Sequence, residues 1–289
     1  MCTMQNSRRR FFKNAATGAL TLGLSPALVP GELMAMAGNT PDDKRIDLFR
    51  VGIAGWSFQK IALDISLEMM NRVDVRHLCI KDFHLPLNST DEHIAAFKNK
   101  LKAKGVTGFG VGPIYMTSKN EVDHAFEYAK RVGVRVLVGV PEHGLLPYVG
   151  EKVKEYDMHF AIHNHGRKDK RYPSVPVIHD FIKDLDPRVG ICHDIGYSME
   201  MGLQPADLMM KYGKRVYEMH IKDMTKHSGE WTECEVGRGE IDFPALAKAL
   251  RKIRYSWTCS IEYDKNSTDP LPGIAESVGY FKAVLNVVK

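Results

Sequence analysis

Residues 216–223 read VYEMHIKD, a mostly apolar run that stops abruptly in a histidine, a lysine and an aspartate. The same pattern recurs on either side. Residues 134–143 (VRVLVGVPEH) end in Glu142 and His143, and residues 159–165 (HFAIHNH) end in His163, Asn164 and His165. Residues 189–194 (VGICHD) end in His193 and Asp194, and residues 258–264 (TCSIEYD) end in Glu262, Tyr263 and Asp264. Short apolar runs with β-branched residues read as strands buried on both faces, which is the habit of a parallel sheet.

Amphipathic stretches lie between these runs. Helices are predicted over residues 91–104, 120–132, 145–156, 175–185, 205–212, 243–253 and 272–288. Thr90 is placed as an N-cap, Gly105 and Gly133 as C-terminal stops, and Pro205 at a helix start. Further strands are predicted within 49–58, 73–85 and 106–115, which brings the count to eight. Residues 167–174 and 225–240 read as loops. Alternating β and α units indicate an α/β fold with a covered parallel sheet, and eight of them indicate a closed (β/α)8 TIM barrel. A doubly wound open sheet is the structural alternative. The length of 289 residues suits one such barrel, and no linker divides the chain.

The first 37 residues read as a leader. Residues 7–13 (SRRRFFK) form a basic stretch with paired arginines, residues 15–28 are weakly apolar, and Ala35-Met36-Ala37 offers small residues for cleavage. This resembles a twin-arginine export signal and implies a periplasmic mature chain spanning residues 38–289. The whole chain has 40 basic and 35 acidic residues; removing the leader's four and one leaves 36 and 34, a net charge of +2. That balance makes no case for nucleic acid or an anionic membrane, and no membrane association is expected of the mature form. A homo-oligomer is compatible with the sequence. Cys79, Cys192 and Cys259 sit in apolar runs and are expected to be buried, whereas Cys234 lies in a polar stretch where a disulfide is left open.

In a barrel, the C-terminal ends of the strands converge on one mouth. Acids and imidazoles gathered there lose water, which is costly without a compensating cation. A mixed oxygen and nitrogen donor set suits Mn²⁺, Mg²⁺, Co²⁺ or Zn²⁺, and the absence of a paired-cysteine motif speaks against a structural zinc. Lys81 closes the second strand, and Trp56 and Phe58 lie near the end of the first. Lys81 is read either as a substrate contact or as a solvated loop lysine, and Trp56 either as a wall for a sugar face or as core. Lys222 is expected to turn away from the pocket. Arg238, between Gly237 and Gly239, is read as binding a substrate anion or ordering its loop.

These residues resemble the xylose-isomerase-like barrels, which include sugar epimerases, hydroxypyruvate isomerases, inosose dehydratases and endonuclease-IV-type enzymes. The resemblance rests on HNHG at 163–166, similar to that family's E-N-H-G, together with HDIGY at 193–197, MHIKD at 219–223, GRGEIDF at 237–243 and SIEY at 260–263. It implies a divalent metal held by Asp194, His220 and Glu262. The family's fourth ligand is a strand-five glutamate, where this chain has His163. Either His163 binds through nitrogen or Glu142 supplies a carboxylate, and the second is favoured because it preserves the negative charge. The resemblance also implies that Glu262 is a base, with Glu142 or His163 as its opposite number and His165 as a substrate contact.

The activity so implied is isomerisation or epimerisation of a small carbohydrate by α-proton abstraction through an enediolate. Two rivals stand beside it. One is a metal-dependent lyase or dehydratase acting on a 3-keto-glycoside or an inosose-like substrate; the other is a non-catalytic sugar-binding barrel. A DNA-repair nuclease is disfavoured, because the histidine of that branch's D-x-x-H is absent from Asp194-Ile195-Gly196-Tyr197.

Overall fold

The computed structural model describes residues 48–288. The leader expected at residues 1–37 lies outside them. In chain order the elements are β1 (Arg50–Ala54), α1 (Leu63–Arg72), β2 (His77–Ile80), α2 (Asp91–Ala103), β3 (Thr107–Met116), α3 (Lys119–Val132), β4 (Val136–Pro141), α4 (Leu146–Tyr156) and β5 (His159–His163). They continue as α5 (Val175–Ile182), β6 (Val189–Asp194), α6 (Ile195–Glu200), α7 (Pro205–Tyr212), β7 (Val216–Ile221), β8 (Asp223–His227), β9 (Glu230–Cys234), α8 (Phe243–Lys252), β10 (Thr258–Ile261) and α9 (Leu271–Val287). Eight strands close in the order β1-β10-β7-β6-β5-β4-β3-β2, each pair parallel. The sheet is therefore closed, and the open doubly wound alternative is excluded.

Side chains alternate along each strand. Leu78, Leu137, Phe160, Ile191, Met219 and Cys259 pack outward with the helices in the main core. Cys79, Val136, Val138, Ala161 and Cys192, on the other face, form a second, smaller cluster in the barrel interior. The helices start and stop where local chemistry tells them to. Thr90 accepts from the His93 N–H at the start of α2, and Ser118 and Glu121 close a capping box on α3. Gly133 ends α3 in the left-handed region at φ 83°.

Three elements differ from the sequence expectation. Helix α1 has no predicted counterpart, although Leu67 and Met70 bury one face of it. The short helix α6 begins directly on Asp194, whose side chain accepts from the Tyr197 N–H. The stretch expected to be a loop at 225–240 contains the antiparallel hairpin β8–β9, which turns at Ser228 and Gly229, both at positive φ. Its strands are short and buried only at the ends nearest the barrel, so they carry no apolar period to read. Cys79, Cys192 and Cys259 are buried as expected; Cys234 is buried too, at the end of β9.

The segment after the hairpin is tied down by one carboxylate. Asp223 is fully buried and accepts backbone N–H bonds from Met224 (2.9 Å), Gly237 (2.9 Å), Gly239 (2.8 Å) and Ile241 (3.2 Å). Gly237 has φ 96°, and a Cβ at Gly239 would fall 2.3 Å from Asp223 Oδ1, so both positions require glycine. We expect Asp223→Ala to orphan four donors and to lower stability by about 3 kcal/mol, measured by chemical denaturation. A loss below about 1 kcal/mol, the scale of one ordinary hydrogen bond, would contradict this account of the loop.

Candidate active site at the barrel mouth

His163 ends β5, Asp194 ends β6, His220 lies in β7 and Glu262 follows β10. The register pairs Asp194 with His220 and His220 with Ser260, so neighbouring strands deliver these side chains at adjacent levels. Each of the four offers a ligand atom within 4.8 Å of the others, and all four residues are buried. His220 Nδ1 lies 3.0 Å from His163 Nε2 and 3.1 Å from Glu262 Oε2, and His163 Nε2 lies 3.8 Å from Asp194 Oδ2. Asn164 clamps the strand ends beneath them, donating to the Asp194 carbonyl (3.0 Å) and accepting from the Asp194 N–H (2.9 Å).

Lys222 joins this group, contrary to the sequence expectation. Residues two apart on a strand share a face, so Lys222 follows His220 inward. Its Nζ lies 3.0 Å from Glu262 Oε2, 3.0 Å from Asp264 Oδ2 and 3.6 Å from Asp194 Oδ2. One ammonium thus faces three carboxylates. The pKa shifts of the cluster express this imbalance. Burial raises Asp194 to about 6 against the pull of Lys222, raises Asp264 likewise, and raises nearby Glu233 to about 8. Burial would also raise Glu262, but His220 and Lys222 outweigh it and hold the carboxyl well below its usual range. Desolvation keeps His163 neutral, with its pKa well below the histidine range.

A divalent cation fits these residues. Asp194 Oδ2 is buried without a hydrogen-bond partner and faces the cluster. The carboxylate charge that Lys222 leaves unbalanced and the unused oxygen of Asp194 are what a dication would satisfy. His163, Asp194, His220 and Glu262 would be its donors.

A cavity of about 210 Å³ opens above the cluster, lined by Glu262, His163, His165, Lys81, Trp56 and Tyr115 among others. It is smaller than the ~300–1,000 Å³ typical of drug-sized ligands, so it suits a molecule of a few heavy atoms' breadth. Lys81 is buried and donates to Asp82 (2.7 Å) and the Pro113 carbonyl (3.1 Å). His165 Nε2 lies 3.1 Å from the Tyr115 hydroxyl, with Asp169 3.6 Å from Nδ1.

Two sequence candidates are not brought to the cluster. Glu142 is half exposed and pairs with Arg171 at 3.1 Å, and it does not join the four donors; His163 does. Glu142 lies just beyond the end of β4. Arg238 is largely exposed and paired with Glu276, away from the cavity lining. His193 faces the helices, hydrogen-bonded to Ser198 at 2.9 Å. Tyr115, Tyr197 and Asp264 line the cavity without having been singled out, beside Lys222, which was expected to turn away. Asp264 had a signal, two residues beyond Glu262, whereas Tyr115 sits at the end of a long apolar strand that gives none.

A family model described as "Xylose isomerase-like TIM barrel" matches residues 74–284. No curated protein matches the chain. Among solved structures, an uncharacterised protein from Parabacteroides distasonis superposes with a TM-score of 0.66 at 25% identity, covering 82% of this chain and 99% of that one. An IolI protein with a zinc atom superposes at 0.64 with 17% identity, covering 83% and 99%. A probable 3-DHS dehydratase, AsbF, from Bacillus anthracis superposes at 0.63 with 11% identity, covering 81% and 99%.

Glu233 provides a test of the charge imbalance. Its folded pKa, about 8, lies above the ordinary 4.5, so the folded state binds the extra proton and stability falls as pH rises between those values. Thermal melts of metal-free protein from pH 5 to pH 8 are expected to show that decline, and Glu233→Gln is expected to flatten it. An unchanged slope would show that this carboxyl is not held protonated.

Proposed function

The chain belongs to the xylose isomerase-like TIM barrel family, and from that premise we propose that it is a divalent-metal-dependent isomerase or epimerase of a small sugar. The observation that carries this reading is the convergence of His163, Asp194, His220 and Glu262 within 4.8 Å at the floor of a cavity. A divalent ion bound there supplies positive charge that polarises a substrate carbonyl and its neighbouring hydroxyl. The zinc atom in the similar IolI structure supports such an ion.

The chain's own residues do the rest. Glu262 lines the cavity, and His220 and Lys222 keep its carboxylate ionised, so it is the base for a proton α to a carbonyl. Lys222, held charged by Glu262, Asp194 and Asp264 despite its burial, steadies the negative charge that develops as the proton leaves. Lys81 and Trp56 on one side and the His165–Tyr115 pair on the other orient the hydroxyls of the substrate. Export of the chain by its arginine-rich N-terminus belongs to the same proposal and rests on residues 7–37 alone.

A lyase reading is favoured by one feature. His163 stands where the resemblance leads one to expect a second carboxylate, and elimination requires one base, Glu262, with an acid for the leaving group, which the His165–Tyr115 pair offers. The similar dehydratase supports it as a rival. Incubation with ketoses and with 3-keto-glycosides in D₂O separates the two. Isomerisation is expected to place deuterium on carbon with the substrate otherwise intact, and elimination releases the aglycone. Glu262→Gln should reduce either rate by about 10²–10⁴-fold, and chelation should abolish it. Full activity after exhaustive chelation would overturn the metal-dependent reading.

A further inference from the structure

Below the four donors lies a buried acid that the proposed reaction does not use. Glu218 is fully buried in β7, two residues before His220 and on the same face. Its surroundings are the apolar interior of the barrel, with Cys79 and Cys192 close by. Ser260 donates to Glu218 Oε1 at 3.0 Å. The same oxygen lies 3.6 Å from His220 Nε2, and among the described residues His220 is its ion-pair partner. Glu218 Oε2 and His220 Nε2 are both buried without a hydrogen bond of their own.

An acid in such a place is expensive. An apolar side chain of similar size would ordinarily be neutral or stabilising there, so packing gives no reason for a glutamate. The imidazole supplies the reason. His220 Nδ1 is the nitrogen turned toward His163 and Glu262, at 3.0 and 3.1 Å, while Nε2 is turned toward Glu218. A neutral imidazole can present a lone pair on Nδ1 only when its proton sits on Nε2. Without an acceptor behind Nε2, the proton is as well placed on Nδ1, where Glu262 would take it in a hydrogen bond and the donor would be lost.

We propose that Glu218 is a positioning residue that accepts the Nε2 proton of His220 and so fixes the tautomer in which Nδ1 faces the cluster as a donor. Ser260 in turn holds the Glu218 carboxylate. The arrangement is a carboxylate–histidine–metal relay of the kind that commonly orients imidazole ligands, and it rests on the metal reading above.

The test uses the full chain. Zinc affinity of wild type, Glu218→Gln and Glu218→Leu is measured by competition with a chelating dye, alongside melts of each metal-free protein and ¹⁵N spectra of the labelled histidines in zinc-loaded wild type. The expected result is that Glu218→Leu weakens zinc binding by about 10–100-fold while the metal-free melt is unchanged or raised. Glu218→Gln, whose amide oxygen still accepts, should lose less. In zinc-loaded wild type, His220 should bind through Nδ1 and keep its proton on Nε2. Unchanged zinc affinity in Glu218→Leu overturns the inference alone, as does a zinc-loaded wild-type His220 bound through Nε2, a result that stands even if the leucine variant does not fold. Absence of zinc binding by wild type overturns the metal reading and this inference with it.

Discussion

Three carboxylates share one ammonium at the mouth of this barrel, and that surplus of buried negative charge is the constraint around which the site is arranged. Asp194, Glu262 and Asp264 all reach Lys222 Nζ within 3.6 Å. In a low-dielectric setting such a surplus is resolved by protonating acids or by admitting a cation. The first course shows in Asp194, raised to about 6, and Glu233, raised to about 8, by burial. The two imidazoles facing the same point supply the nitrogen donors that make the second course available.

The fold brings this about by strand alternation rather than by any special loop. His163, Asp194, His220 and Glu262 come from four different β-segments, placed at adjacent heights by the parallel register. Asn164 ties β5 to β6 at that height, and Asp223 gathers the chain leaving β7 so that the hairpin and the glycine-rich segment close over one side. The cluster thus sits at or just beyond the C-terminal ends of the strands, where a barrel gathers its functional groups.

Much of this was legible in the sequence because each strand is an apolar run broken by a polar terminus. Asp194, His220 and Glu262 announce themselves in that way, and so does the eightfold alternation that gives the barrel. Other features were hidden for physical reasons. The choice between Glu142 and His163 turns on which side chain points inward, and charge alone favoured the one that the structure leaves on the rim. Lys222 follows from the period of two once His220 is placed. The hairpin β8–β9 escapes notice because exposed strands need no apolar pattern, and helix α1 because its buried face is short. Glu218 reads as one more polar residue in a strand until its distance to His220 Nε2 is known.

The central claim is that one cation is held at a common point by imidazole and carboxylate donors from separate strands. Anomalous diffraction from crystals soaked in Mn²⁺ tests it most directly. The account predicts a single strong peak at coordination distance from His163 Nε2, His220 Nδ1 and a carboxylate oxygen each of Asp194 and Glu262. A map with no peak there, or with the ion bound at Glu142 on the rim, would contradict it.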